Sequence, residues 1–306
     1  MPKAVRPTKS KPSVSIIGSG RLGTALAIAL SSLGYPIQAV VARHLMKARK
    51  AATLVSRNTL ALKASELDHL PPSTIVFLST PDDQIADTAQ RLIDSQRSLT
   101  KGSIVLHTSG ALSSNVLEPL TGIGLHVGSL HPLVSVSDPR TAQQSLRGAF
   151  YCIEGDAAAT RTARAIVRDL KGRSFTISPL NKPLYHAAAV MASGNVLALF
   201  DLATEMLVQC GLERGNASRV LLPLLQSTVN NLARTDAARA LTGTFARGDV
   251  ATVRRHLHAL SRNQLLEALE VYKLLGARSL KLAARNGLEP KLVKQMKLAL
   301  NAATEK

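Results

Sequence analysis

The stretch SVSIIGSGRLGTALAIAL at residues 13–30 constrains this chain more than any other. It reads as a short β-branched strand at Val14–Ile17, a turn holding Gly18, Gly20 and Gly23, and an apolar helix ending near Leu33 and Gly34. Each glycine has its own task in such a turn. Gly18 permits the tight bend, Gly20 removes the Cβ that would block a pyrophosphate, and Gly23 lets the helix pack on its sheet. The first helical N–H groups then face the phosphates. A strand before and a helix after separate this pattern from a chance cluster of glycines. Gly18, Ser19, Gly20, Arg21, Leu22 and Gly23 are therefore the expected cofactor-binding turn.

The second strand, IQAVVAR at 37–43, bears on which dinucleotide is held. An NAD site usually has an acid at this place for the ribose 2′-hydroxyl. Here Arg43 and His44 stand there, followed by Lys47, Arg49 and Lys50, with no carboxylate before Arg57. A guanidinium pairs bidentately with a 2′-phosphate. The pattern favours NADP(H) over NAD(H), although lysines at 47 and 50 are also what an ordinary solvated helix face carries.

Further along, STIVFLST at 73–80, GSIVLHTSG at 102–110, GIGLHVGSLHPL, GAFYCIEG and SFTIS read as strands separated by helices. Alternation of this kind gives a mostly parallel sheet covered on both faces. From Lys182 onward no strand is legible. KPLYHAAAVMASGNVLALFDLATEMLVQCG reads as one long helix, with Pro183 in its first turn and Gly211 as its stop, and further helices follow at about 216–234, 250–260, 264–286 and 290–302. The expected organisation is a basic tail at 1–12, an α/β nucleotide domain at 13–180 and an all-helical domain at 181–306.

Ligands of open α/β sheets sit beyond the carboxyl ends of strands. Ser79, Thr80 and Pro81 form one such end, beside the expected ribose. Thr108, Ser109 and Gly110, after His107, form another, where a nicotinamide would lie. His131 ends a third and is well placed for proton transfer. The same residue types are also common turn formers.

Composition narrows the remaining classes. The net charge is +18, and four cations with no acid fall in the first eleven residues. Aromatics make up only 3% and do not interleave with the basic residues, which argues against specific nucleic-acid binding. Cys152 and Cys210 match no metal spacing, no paired His or Cys motif occurs, and no metal is expected. The tail lacks a secretory core, and the apolar run at 187–200 is shorter than the ~20 residues of a membrane span. A cytoplasmic protein with a small-molecule, anionic substrate is expected.

Four motifs, HTSGALSSNVLEPL, GSLHPL, YHAAAVMASGNVLAL and LTGTFARGDVATVRRHL, occur in order along nearly the whole chain after the tail. Together they resemble the Rossmann-like proteins whose C-terminal half is domain of unknown function 2520. That family lies in the wider group of pyrroline-5-carboxylate reductase, ketopantoate reductase, prephenate dehydrogenase and β-hydroxyacid dehydrogenases. The resemblance implies a Rossmann-type, mostly parallel sheet followed by an all-α domain, an NADP cofactor, and a homodimer built from the C-terminal helices. Two positions depart from the family pattern: Thr244 stands where a proline is usual after Thr242 and Gly243, and Gly194 and Asn195 follow the Ala–Ser pair.

β-Hydroxyacid dehydrogenases carry a lysine and then an asparagine on the first helix of their second domain. The matching helix here offers Tyr185 and His186, and between Lys182 and Lys273 there is no lysine. Hydride transfer to a carbonyl or imine needs a proton donor at the developing anion. His186 is the first candidate, His131 the second, and Tyr185 a weaker one. Asn195, nine residues after His186, falls on another face unless the helix bends at Gly194. Arg247 in TGTFARGD could clamp a substrate carboxylate, and Asp249 fits an N-cap. The expectation is an NADP(H)-dependent oxidoreductase acting on a small oxo-acid or imine. The alternatives are a non-catalytic NADP(H)-binding sensor or scaffold, and a nucleic-acid-associated protein using its basic tail.

Overall fold

The computed structural model describes residues 10–95 and 99–302, so most of the expected basic tail lies outside the described residues. Contacts divide the chain between Ser193 and Gly194 into two compact units.

The first unit is built on one sheet. Its strands are β1 (Val14–Ile17), β2 (Ile37–Ala42), β3 (Leu60–Lys63), β4 (Ile75–Leu78), β5 (Ile104–His107), β6 (His126–Pro132), β7 (Phe150–Gly155) and β8 (Arg173–Phe175). Their spatial order is β3-β2-β1-β4-β5-β6-β7-β8. All neighbours pair in parallel except β6 and β7, which run antiparallel. Five connections contain α1 (Arg21–Ser32), α2 (Leu45–Val55), α3 (Ile85–Ser95), α4 (Pro139–Leu146) and α5 (Ala157–Asp169), while 3-10 segments at Ala64–His69 and Ser114–Ile123 join β3 to β4 and β5 to β6. After β1 the chain moves outward one way through β2 and β3, then returns to place β4 on the other side of β1. That reversal between β1 and β4 opens a crevice at the carboxyl ends of the strands.

Strand periodicity divides the core. Ile16, Val40, Phe77 and Leu106 pack in one cluster, while their neighbours Ile17, Val41, Leu78 and Val105 pack in the other. Strands β1, β2, β4 and β5 are thus apolar on both faces, as a sheet covered on both sides requires. Phe77 is fully buried, and truncating it to alanine would cost about 3–5 kcal/mol. Strand β3 carries no comparable signal. It is an edge strand, and Leu60 is exposed rather than buried.

The expected single helix after Lys182 is two helices. α6 (Lys182–Ala192) ends at Ser193, whose φ of −129° and ψ of −78° leave the helical region, and α7 (Gly194–Gln209) begins at once. Within the notched stretch Pro179–Gln209 an 18-residue window reaches a mean hydropathy of 1.5, so by length and composition the stretch is apolar enough to cross a membrane, where a shorter run was expected. Its first turn, however, is anchored within the first unit, because Lys182 is fully buried there against the sheet.

The second unit continues with α8 (Arg214–Arg234), α9 (Ala237–Ala240), α10 (Gly243–Arg247), α11 (Val250–Arg262), α12 (Leu266–Arg285) and α13 (Pro290–Ala302). Its core gathers Val253, Leu257, Leu260, Leu269, Leu280, Met296 and Leu300. α7 and α8 leave many large apolar side chains uncovered, among them Leu197 at 66% and Leu224 at 65% exposure.

Candidate active site

The glycine turn has the geometry its spacing predicts. Gly18 adopts φ +111°, and a Cβ there would lie 2.4 Å from the carbonyl of Ser79. A Cβ on Gly23 would lie 2.0 Å from the carbonyl oxygen of Gly18. The folded chain itself therefore requires both glycines. Gly20 differs: its φ is −66°, and a Cβ would meet nothing within 4 Å. The space beside Gly20 is open at the N-terminus of α1, which has no side-chain cap and no acidic residue in its first turn. Ser19, Arg21 and Leu22 complete this turn, with the Ser19 carbonyl accepting from the Thr24 hydroxyl.

Beside the turn is a cavity of about 280 Å³, lined by Gly18, Val41, Arg43, Thr80, Gln84, Asp87 and Arg91 among others. It joins the ends of β1, β2 and β4. Arg43 follows β2 directly, and His44 is the exposed N-cap residue of α2. The Thr80 hydroxyl is buried without a hydrogen-bond partner, so it is free to meet a ligand. Its neighbours are committed. Ser79 accepts from the Thr108 hydroxyl at 3.1 Å. Ser109 donates to Asp82 at 2.8 Å and accepts from the N–H groups of Ala111 and Leu112. Pro81 precedes a single 3-10 turn at Asp82–Gln84. Arg91, on α3, donates to the Ala64 carbonyl and adds a second guanidinium to this cavity. Nothing in its local sequence marked it, since it is one cation on an amphipathic helix.

A second cluster lies where β5 and β6 end. Strand alternation puts Ser129 and His131 on one face of β6, and the register sets Glu154 and Cys152 of β7 opposite them. His107 of β5 stands beside Ser129. The start of α6 covers this polar face. Lys182, Tyr185 and His186 occupy helix positions i, i+3 and i+4 and so share a side. The Tyr185 hydroxyl lies 2.6 Å from Nδ1 of His131. The rings of His131 and His186 meet edge to face, 5.6 Å apart.

Gly110 explains how close these groups come. A Cβ on Gly110 would sit 2.4 Å from Nδ1 of His186 and 2.8 Å from Nε2 of His131. Both imidazoles thus converge on the backbone that follows β5. Nδ1 of His186 is buried without a partner. A cavity of about 360 Å³ extends from the two histidines along Pro132, Leu133, Val134, Ser135, Val190 and Ser193.

Electrostatics keep His131 neutral. Burial, then the neighbouring His186, then the Lys182 charge press its pKa down to about 4. His107 is pushed down to about 3, chiefly by burial and then by Lys182. Burial raises the Tyr185 hydroxyl above its usual range, so it keeps its proton. The Tyr185 hydroxyl and Nδ1 of His131 share a hydrogen bond, and Nε2 of His131 is the nitrogen that faces Gly110.

Asn195 and Arg247 belong to the second unit. Asn195 is exposed in the first turn of α7, and Arg247 is the exposed last residue of α10. Asp249 caps α11, accepting from the Thr252 N–H at 3.0 Å. Among the described residues no group of three or more His, Cys, Asp or Glu side chains could hold a metal ion.

The sheet order and the glycine turn define a Rossmann-like domain, and residues 3–132 match that family. Residues 149–279 match the domain of unknown function DUF2520, which follows the Rossmann-like match along the chain. No curated protein sequence matches it. Among solved structures, a candidate NADP oxidoreductase from Bacteroides fragilis is 23% identical with a TM-score of 0.74, the match covering 90% of this chain and 100% of that one. Protein TM1727 from Thermotoga maritima is 22% identical with a TM-score of 0.61 over 95% of this chain and 100% of its own. The pyrroline carboxylate reductase of Plasmodium falciparum, solved with NADP bound, is 14% identical with a TM-score of 0.57 over 95% and 99%. At these identities the likeness is one of fold.

Proposed function

We propose that this chain is an NADP(H)-dependent oxidoreductase that reduces or oxidises a small, anionic carbonyl or imine compound. The cofactor reading is supported by the open space at Gly20, the uncapped start of α1, and the cavity that Arg43, Arg91 and the unpartnered Thr80 hydroxyl line. The amides of residues 18–23 would hold the diphosphate, and Arg43 with Arg91 the 2′-phosphate. Structural neighbours that carry NADP in a similar fold point the same way. The nicotinamide, when bound, supplies hydride chemistry at its C4.

The observation that carries the catalytic reading is the convergence of His131 Nε2 and His186 Nδ1 beside Gly110. His131, neutral and fixed by Tyr185, donates a hydrogen bond to the substrate oxygen or nitrogen on which negative charge develops. His186 moves the proton. The cavity beyond them is lined by aliphatic side chains with two serines, which suits a short carbon chain. The net charge of +18 favours an anionic substrate. The uncovered apolar residues of α7 and α8 suit burial against a second copy of the chain.

Turnover of NADPH with a panel of oxo-acids and cyclic imines tests the reading. It predicts oxidation of NADPH with at least one member and loss of that activity in His186→Ala. A chain that binds NADPH yet turns over no member, with binding untouched by His186→Ala, would be a sensor or scaffold instead.

A further inference from the structure

Lys182 is the largest charged side chain that the first unit buries completely. Its ammonium donates to the Ser129 hydroxyl at 2.7 Å and to the Ser109 carbonyl at 3.2 Å. It lies 3.9 Å from a Glu154 carboxylate oxygen. Glu154 is tied down in turn, accepting from the Ser114 N–H at 2.6 Å and the Ser114 hydroxyl at 2.7 Å. These contacts bind the first turn of α6 to the loop after β5, to β6 and to β7.

The register gives this arrangement its meaning. Ser129 and Glu154 are directly opposed on the β6–β7 ladder, and His131 and Cys152 form the next opposed pair on the same face. Lys182 takes the first pair. Tyr185, one helical turn further on, takes the second through its contact with His131. The helix is thus keyed to two successive rungs of the sheet. A buried lysine that donates to Ser129 and Ser109 and sits beside the Glu154 carboxylate is held by the protein, and its role acts through what it holds in place.

We propose that Lys182 is a positioning residue: it seats α6 on the Ser129–Glu154 rung, so that Tyr185 meets Nδ1 of His131 and fixes the tautomer that presents Nε2–H beside Gly110. Its purpose in catalysis rests on the oxidoreductase reading, but the tautomer can be measured without cofactor or substrate. Removing an ion-paired lysine alone would strand a buried carboxylate. The informative variant is therefore Lys182→Met with Glu154→Gln, which removes both charges together. The charged or titratable groups around His131 and Lys182 that remain are His107 on β5, Cys152 on β7, Asp82 after β4, and Tyr185 and His186 on α6.

The test is ¹⁵N NMR of the full-length protein with labelled histidine, the His131 signals being assigned by their loss in His131→Gln. In the wild type His131 holds a single Nε2–H tautomer down to acid pH. In the double variant the signal becomes a mixture of tautomers and its midpoint rises by about one pH unit. An unchanged tautomer and midpoint in the folded double variant would overturn the proposal. Ser129→Ala, which removes one Lys182 acceptor without a charge, repeats the test should the double variant not fold. A mixed tautomer supports the positioning role and an unaltered one overturns it. NADPH titration of the same samples reports separately on the cofactor reading.

Discussion

Tyr185 and His131 come from elements far apart in sequence, yet the Tyr185 hydroxyl sits 2.6 Å from Nδ1 of His131. This contact joins the first turns of α6 to the end of β6 and sets the ring's direction. Tyr185→Phe keeps the packing and removes the hydroxyl. It is expected to lower kcat by about 10- to 100-fold, with the affinity for NADPH unchanged. Steady-state kinetics and a binding titration separate the two effects, and a kcat equal to wild type would discount the contact.

The glycine turn separates what the fold needs from what a ligand needs. Gly23→Ala forces a Cβ to within 2.0 Å of a carbonyl oxygen and should cost at least about 2 kcal/mol in urea unfolding. Gly20→Ala enters open space and should stay within about 1 kcal/mol of wild type while abolishing most NADPH binding. Equal stability losses in the two variants, or normal binding in Gly20→Ala, would show that Gly20 leaves room for nothing.

Stability should fall on mild acidification. His107 and His131 have folded pKa values of about 3 and about 4, below the unfolded value near 6.5. Their contribution is complete above about pH 6.5, where both states are neutral. Below that the unfolded chain binds protons that the folded chain does not, and stability declines until the folded pKa values are reached. The slope approaches about 1.4 kcal/mol per pH unit for each histidine. Urea midpoints at pH 7, 6 and 5 check this, and stability that is flat or rising toward pH 5 would contradict it.

The exposed apolar residues of α7 and α8 predict self-association. Val220, Leu222, Leu224, Val229 and Leu232 are all at least 47% exposed on α8. Sedimentation of the wild type should give a dimer, and Leu224→Glu with Val220→Glu should shift it toward monomer. A monomeric wild type at micromolar concentration would remove this element of the proposal.

Much of the fold was legible because its signals are local. Val14–Ile17, the three glycines and the helix after them lie within one short stretch, and the buried strands are continuous apolar runs. β3 escaped notice because an edge strand need not be apolar, and Leu60 faces outward. The break between α6 and α7 lies at Ser193, which has no proline beside it to announce a stop; Gly194 was the only hint. His131 and His186 were legible as histidines at a strand end and on the covering helix. The role of Lys182 was not, because its acceptors Ser109, Ser129 and Glu154 are distant in sequence and meet only through strand register. Arg91 was hidden in the same way, entering the cofactor cavity from α3.

The most direct measurement is calorimetric titration of the full-length protein with NADPH and with NADH, repeated on Arg43→Ala. NADPH should bind at least about tenfold more tightly than NADH, and Arg43→Ala should erase that preference while leaving NADH affinity nearly unchanged. Failure of either dinucleotide to bind, or a preference for NADPH that survives the loss of Arg43, would contradict the reading of this site.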